Sequence, residues 1–278
     1  MSDFIASPIK RSLFATVCFL LATGSTYSDA LPNVETSQLE NLQLLLDLAD
    51  SGDTHSQYRL AQKFRYGVGV DADPVQTLNY YRAAAQQGMA EAQYELASIL
   101  DGDLLDVGRD RSEAFIWFQA AADQGHVQAQ IKMGTAHRHG DGLQQSYADA
   151  AYWFIAAAEQ GSSFAALNAA EVLADNLSDY SSALRWYEFA AINGKRAGQL
   201  ALGDLYRDGQ GVIQHLVSAH MWYGIAARYG SGTAEQKRDQ IELDMTQDQI
   251  TLATENGRVC LSSDFNSSVC GLQYEQSR

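Results

Sequence analysis

Apolar positions along this chain fall at helical spacing, and the pattern itself recurs with a long period. An aromatic pair appears as Tyr80-Tyr81, Trp117-Phe118, Trp153-Phe154, Trp186-Tyr187 and Trp222-Tyr223, at intervals of 37, 36, 33 and 36 residues. Four residues after the first aromatic comes Ala-Ala, as Ala84-Ala85, Ala121-Ala122, Ala157-Ala158, Ala190-Ala191 and Ala226-Ala227. Eight residues after it comes glycine, at Gly88, Gly125, Gly161, Gly194 and Gly230. These offsets place aromatic and alanine on one stripe of a helix, and the glycine suits the left-handed residue at which helices commonly end. Small alanines let a neighbouring helix come close. Upstream of each stripe lies a second helical pattern, with pairs four residues apart: Leu60 and Phe64, Leu96 and Leu100, Met133 and His137, Ala169 and Leu173, Leu202 and Tyr206. Each period therefore predicts a helical hairpin.

Between the two helices the clearest periods carry glycine turns, Gly67-Val68-Gly69-Val70, Gly140-Asp141-Gly142-Leu143 and Gly209-Gln210-Gly211-Val212. A phosphate-cradling loop would need a preceding strand and a longer glycine signature or a P-loop lysine. These glycines serve backbone geometry, and the Val or Leu that follows is expected to pack inward.

The run Leu60-Ala61, Phe64, Gly67-Val68-Gly69-Val70, Thr77, Tyr80-Tyr81, Ala84-Ala85, Gly88 resembles the Sel-1-like repeat, a branch of the tetratricopeptide-like superfamily. Residues 198 to 230 resemble it equally through Gly198, Leu202-Gly203, Tyr206, Gly209, Gly211-Val212, Ala219, Trp222-Tyr223 and Ala226-Ala227. The resemblance implies an all-α, right-handed superhelical solenoid of helix-turn-helix repeats, here five, at 53–88, 89–125, 126–161, 162–194 and 195–230. Two turns depart from the pattern, Asp101-Gly102-Asp103-Leu104-Leu105 and the shortened stretch from Asn176 to Tyr180. Both are expected to be irregular and to be candidate contact loops.

The ends read as caps and as targeting. Lys10 and Arg11 precede a mostly apolar stretch from Ser12 to Ala22, and Ser28-Asp29-Ala30 offers small residues at the positions a signal peptidase reads. Residues 1–30 are thus expected to be a signal peptide cleaved after Ala30, with the mature protein periplasmic or secreted. The apolar run is too short to span a bilayer, which needs about 20 residues, and no membrane span is expected in the mature protein. Residues 31–52 read as an N-terminal capping helix opened by a capping box of Ser37 and Glu40. Residues 231–256 read as C-terminal capping helices, Ala234 to Asp244 followed by one starting at Thr246 with Gln249, and residues 257–278 as a tail. Without Cys18, the mature chain keeps Cys260 and Cys270, an even pair that reads as one disulfide in an oxidising compartment. No nearby histidine completes a tetrahedral metal set with these thiols.

Charge narrows the partners. With 34 acidic against 19 basic residues, a net −15, the surface repels phosphate backbones and anionic headgroups, which argues against nucleic acid and against electrostatic membrane docking. No cofactor or metal is expected. His126, His137, His139 and Asp141 lie close in sequence, but His137 stands where other repeats place Tyr or Phe, which favours packing. Neither G-x-S-x-G nor a zincin helix nor C-x-x-C occurs, and the S-x-x-K from Ser7 to Lys10 lies inside the expected signal peptide. The acids Asp101, Asp103 and Asp106 read as solvated on an exposed turn. The chain is expected not to be an enzyme.

In tetratricopeptide-like arrays the first helix of each hairpin lines the concave surface. The resemblance therefore places a partner-binding strip at Tyr58, Gln62, Arg65, Tyr94, Ser98, Asp101, Ile131, Thr135, Arg138, Leu167, Glu171, Leu200, Asp204 and Arg207. Mixed aromatics, aliphatics and single charges suit a protein segment. Arg65, Arg138 and Arg207 occupy equivalent places in the first, third and fifth repeats. Two readings stay open for them: a ladder for carboxylates or peptide backbone, or pairing with neighbouring acids. The function expected is a periplasmic scaffold or adaptor in envelope assembly or signalling regulation. The alternatives are a cell-wall or β-lactam-related enzyme of the exported Sel-1-like type, whose relatives carry disulfides within repeats that this chain lacks, and an exopolysaccharide-associated scaffold using the aromatic strip.

Overall fold

The computed structural model describes residues 33–102, 108–266 and 270–271. The expected signal peptide and part of the irregular turn after Asp101 lie outside the described residues. The chain divides into two units, residues 1–47 and 48–278, with the boundary inside the first helix. That helix, α1, runs Asn33–Asp50. It is already under way at Ser37, so the expected capping box at Ser37 and Glu40 does not start it.

The second unit holds five helical hairpins. Their first helices are α2 (Thr54–Tyr66), α4 (Ala90–Gly102), α6 (Val127–His139), α8 (Ser163–Glu171) and α10 (Arg196–Asp208). Their second helices are α3 (Pro74–Gln86), α5 (Arg111–Asp123), α7 (Tyr147–Glu159), α9 (Tyr180–Ile192) and α11 (Leu216–Arg228). Two helices follow, α12 (Gly232–Ile241), with a 3₁₀ turn Glu242–Asp244, and α13 (Gln247–Ser262). The fold is an all-α repeat solenoid.

Most helices start on a side chain that accepts from a free backbone N–H of the first turn. Asp53 accepts from Ser56 N, Asp73 from Val75 and Gln76 N, Asp110 from Glu113 N and Ser231 from Ala234 N. Thr246 and Gln249 form the expected capping box of α13. The turn glycines Gly67, Gly140 and Gly209 each take a left-handed conformation that ends a first helix. In the fourth repeat no such glycine exists. There α8 runs into a π-helical segment, Val172–Asn176, and Ser178 takes a positive φ of 57°. This is the irregular turn the sequence led us to expect.

Packing follows the chain: each hairpin contacts its neighbours in sequence, as in a solenoid. The apolar interior forms two clusters that meet at α7, with Trp153 in one and Phe154 in the other. The second aromatic of every pair plugs the core, with Tyr81 and Tyr223 fully buried and Phe118 and Phe154 nearly so. Opposite these rings the first helices carry only Ala or Gly: Ala61, Ala97, Gly134, Ala170 and Gly203, all buried. A methyl group at Gly134 would approach the Phe154 ring to 2.8 Å, and one at Gly203 the Tyr223 ring to 2.3 Å. The Val70, Leu143 and Val212 side chains after the glycine turns are half-buried.

A recurring glutamine clasp ties four of the five hairpins to the helix before, the fourth repeat carrying Ala166 at that place. Gln57, Gln93, Gln130 and Gln199 donate through Nε2 to the carbonyls of Ala49, Ala85, Ala122 and Ala191, which end the helix before. In the first three repeats a second glutamine, Gln87, Gln124 or Gln160, donates to the Oε1 of Gln57, Gln93 or Gln130. In the fifth repeat Tyr229 stands at that place, and the buried Oε1 of Gln199 has no hydrogen-bond partner among the described residues. A buried acceptor left unpaired costs about 1–3 kcal/mol. Tyr229→Gln is therefore expected to raise unfolding stability by about 1 kcal/mol, a gain read as a higher denaturant midpoint at unchanged slope. No gain, or a loss, would mean that the clasp does not form there.

Cys260 and Cys270 form a disulfide, with Cα atoms 4.8 Å apart. It closes the segment after α13, and both cysteines are buried against the apolar cluster of the last repeats.

Candidate functional site

Counted from the residue before each first helix, the expected strip falls at offsets five, nine and twelve, one face of a helix. The structure gives these three positions different surroundings.

Offset five is Tyr58, Tyr94, Ile131, Leu167 and Leu200, all half-buried and packed against the two apolar clusters. Tyr58 meets Tyr81 edge-on with ring centroids 5.7 Å apart, and Tyr94 tilts against Phe118 at 5.8 Å. The ring of Tyr94 also stacks on His126 at 4.6 Å. A sugar stacked on that ring would compete with the imidazole, which removes the support for a glycan platform there.

Offset twelve carries ion pairs that join consecutive repeats. Arg65 in the first repeat pairs with Glu95 in the second. Asp101 in the second binds Lys132 of the third at 2.7 Å, with the signs reversed. Arg138 in the third repeat donates to Asn168 and to Glu171 of the fourth, each at 3.1 Å. In the fifth repeat Arg207 pairs instead with Asp208 at 2.7 Å and Asp204 at 3.3 Å. Asp204, at offset nine, accepts from the Tyr223 hydroxyl and from Lys237 of α12, each at 2.7 Å. Of the two readings left open for the arginines, pairing with neighbouring acids is what the geometry shows. In the first three repeats the ladder residue meets offset six of the next first helix, Glu95, Lys132 or Asn168, and Lys237 stands at that offset in α12, which takes the place of a sixth first helix.

Asp101 corrects an expectation. It was expected exposed and solvated, and it is 7% exposed, because the last turn of α4 faces the next repeat. Arg111 donates to its carboxylate at 2.9 Å and Arg109 to its carbonyl at 2.6 Å, and Arg111 also pairs with Asp141. Burial pushes the Asp101 carboxyl up, but Lys132 and Arg111 outweigh it and hold the group below its ordinary value. His137 is a second correction. It lies half-buried at the end of α6 with Nδ1 3.3 Å from the Gln144 carbonyl, outside the packed core. Among the described residues no group of three His, Cys, Asp or Glu side chains is arranged for a metal ion.

Offset nine is the most accessible place on the strip. Gln62 and Ser98 are half-buried and Thr135 is exposed, and the Ser98 and Thr135 hydroxyls donate only to their own helix. Phe164, which lies at offset two on the same helical face, is 52% exposed. Sequence reading passed over it, although a large apolar residue two places into α8, where other repeats carry His55, Glu91 and Gln128, is itself a signal.

The ladder makes a sharp prediction. Arg65→Glu is expected to destabilise by about 1 kcal/mol through like-charge contact with Glu95, and Arg65→Glu with Glu95→Arg to recover most of it. A double mutant no more stable than the sum of its singles would show that the two side chains do not interact.

The comparisons agree with this architecture. The Sel1 repeat model matches residues 54–89, 90–126, 127–162, 177–195 and 196–231. A Sel1 repeat protein from Oxalobacter formigenes superposes with a TM-score of 0.60 at 24% identity, over 80% of this chain and 96% of that one. A protective antigen of uropathogenic Escherichia coli with the same repeat fold gives 0.52 at 22% identity, over 85% of this chain and 60% of that one. Among curated proteins, an uncharacterised Neisseria meningitidis protein is 29% identical over 79% of this chain. Chitin synthase regulatory factor 3 of Schizosaccharomyces pombe is 26% identical over 72% of it. The chain spans 38% and 26% of the length of those two relatives. With five repeats matched across most of its length, the chain belongs to the Sel1 repeat family.

Proposed function

We propose that this protein is an exported interaction scaffold that holds a protein partner along the first-helix face of its repeats, acting in the periplasm in envelope assembly or in regulating a signalling or synthetic system. The observation that carries this reading is the strip itself. Its charges are paired from one repeat to the next and its offset-five side chains are anchored, so the face offers a pre-ordered polar and apolar surface at low entropic cost to a partner. Exposed Phe164 supplies an apolar anchor of the kind interfaces use. A regulatory role is supported by the chitin synthase regulatory factor among the relatives. Residues 1–30 have the pattern of an export signal.

Gln62→Arg and Phe164→Asp touch none of the inter-repeat pairs and are expected to leave helicity and melting unchanged. Together they are expected to remove the partner that co-purifies with the tagged wild-type protein from envelope fractions. Undiminished co-purification by the folded double variant would place the partner elsewhere.

A further inference from the structure

The fourth repeat lacks several of the polar ties that hold the others. At the clasp place it carries Ala166, where the other repeats carry Gln57, Gln93, Gln130 and Gln199. Before its closing glycine it carries Asn193, where the first three repeats carry Gln87, Gln124 and Gln160, and Asn193 donates instead to the Phe189 carbonyl of its own helix at 2.8 Å. At the ladder place stands Ala174, and offset six of the next first helix is Ala201, so no ion pair crosses from repeat four to repeat five at that rung. The polar tie that remains on α8 comes from the third repeat, where Arg138 donates to Asn168 and Glu171.

The apolar ties and the backbone differ as well. Ala169 stands where the other first helices bury Leu60, Leu96, Met133 and Leu202, and a methyl group removes less apolar surface from water than those side chains do. Helix α8 is nine residues long, against thirteen for each of the other four first helices. It runs into the π-helical segment Val172–Asn176 instead of ending on a left-handed glycine. Such turns are rare and occur mostly as single turns within helices. The chain then leaves through Ser178 at a φ of 57°, a conformation disfavoured for a residue with a β-carbon. These differences have separate origins and fall on one hairpin, chiefly on residues 163–178. Each lowers the cost of opening that segment while its neighbours stay closed.

We propose that α8 with its π-helical segment opens as a unit of its own, a yielding joint between the three repeats before it and the fifth repeat after it. Exposed Phe164 is carried on the same helix, so under the scaffold reading a partner docks partly on a helix that can adjust to it. That consequence rests on the scaffold reading; the opening does not, and its test needs no partner.

The test is native-state hydrogen exchange on the mature protein with its disulfide formed. In an array held by nearest-neighbour contacts the ends have one neighbour and open first, so a minimum of protection in the interior separates a joint from fraying. Protection at Ala169 and Ala170 is expected to lie about tenfold or more below that at the equivalent Met133 and Gly134 of α6 and Leu202 and Gly203 of α10, as the loss of a clasp implies. It is also expected to change little at low denaturant, because a local opening exposes little surface. Leu60→Ala in the first repeat, which weakens the array, is expected to leave α8 protection unchanged. Ala166→Gln with Asn193→Gln rebuilds the clasp and is expected to raise α8 protection about tenfold. Should that variant fail to fold, wild type and Leu60→Ala decide. Protection in α8 equal to or above that of α6 or α10, a denaturant slope as steep as that of global unfolding, a loss at α8 in Leu60→Ala, or a folded clasp variant without gain would overturn the proposal.

Discussion

Gly203→Ala is expected to lower unfolding stability by about 1–3 kcal/mol even though alanine favours helix over glycine by about 1 kcal/mol. The added methyl would sit 2.3 Å from the ring of Tyr223. That ring is fully buried, and its hydroxyl is fixed on Asp204 at 2.7 Å, so it cannot swing aside without giving up the hydrogen bond. Gly224→Ala, in a helical glycine with open space around it, is expected to have the opposite sign and gain up to about 1 kcal/mol. Denaturant melts of the two variants side by side check the claim. A neutral Gly203→Ala would mean that α10 and α11 are less tightly packed than described.

The second large effect is at Asp101. Asp101→Ala strips Lys132 and Arg111 of the carboxylate they share between repeats two and three, and is expected to cost about 2–3 kcal/mol. The figure is set below that of a fully buried pair because Lys132 and Arg111 are 40% and 31% exposed. The sign with pH follows from the downward shift. A carboxylate held below its ordinary value of 3.8 contributes fully above that value, and the contribution is lost as pH falls through the folded-state value. The stability gap between wild type and Asp101→Asn should therefore be constant from neutral pH down to the ordinary carboxylate value and close below it. A gap unchanged in stronger acid would contradict the network.

These two sites show what was and was not legible in the sequence. The hairpins were readable because aromatic, Ala-Ala and glycine recur at offsets that only a helix with a left-handed end satisfies. The disulfide was readable because only Cys260 and Cys270 remain after residue 30. The ladder was half-readable: the equivalent places of Arg65 and Arg138 are plain in the sequence. Their partners Glu95 and Glu171 belong to the next repeat, and the inter-repeat offset that brings them together depends on packing. Asp101 was misread for the same reason, since a residue at the end of a first helix faces solvent or the next repeat according to that offset. The glutamine clasp could have been found. Gln57, Gln93 and Gln130 recur with the repeat period, as do Gln87, Gln124 and Gln160, and a polar residue kept in step with a buried stripe signals a structural hydrogen bond. The return of α13 onto α11 could not have been, because no periodicity encodes it.

The central claim is that a protein partner lies along the first-helix face. It is tested most directly by placing a photo-crosslinking amino acid singly at Gln62, Thr135 and Phe164 on that face, and at Ile116 and Tyr152, exposed positions on second helices, then irradiating intact cells. The account predicts a common crosslinked partner band from the three first-helix positions and none from the two second-helix positions. A band that appears only from Ile116 or Tyr152 would contradict it.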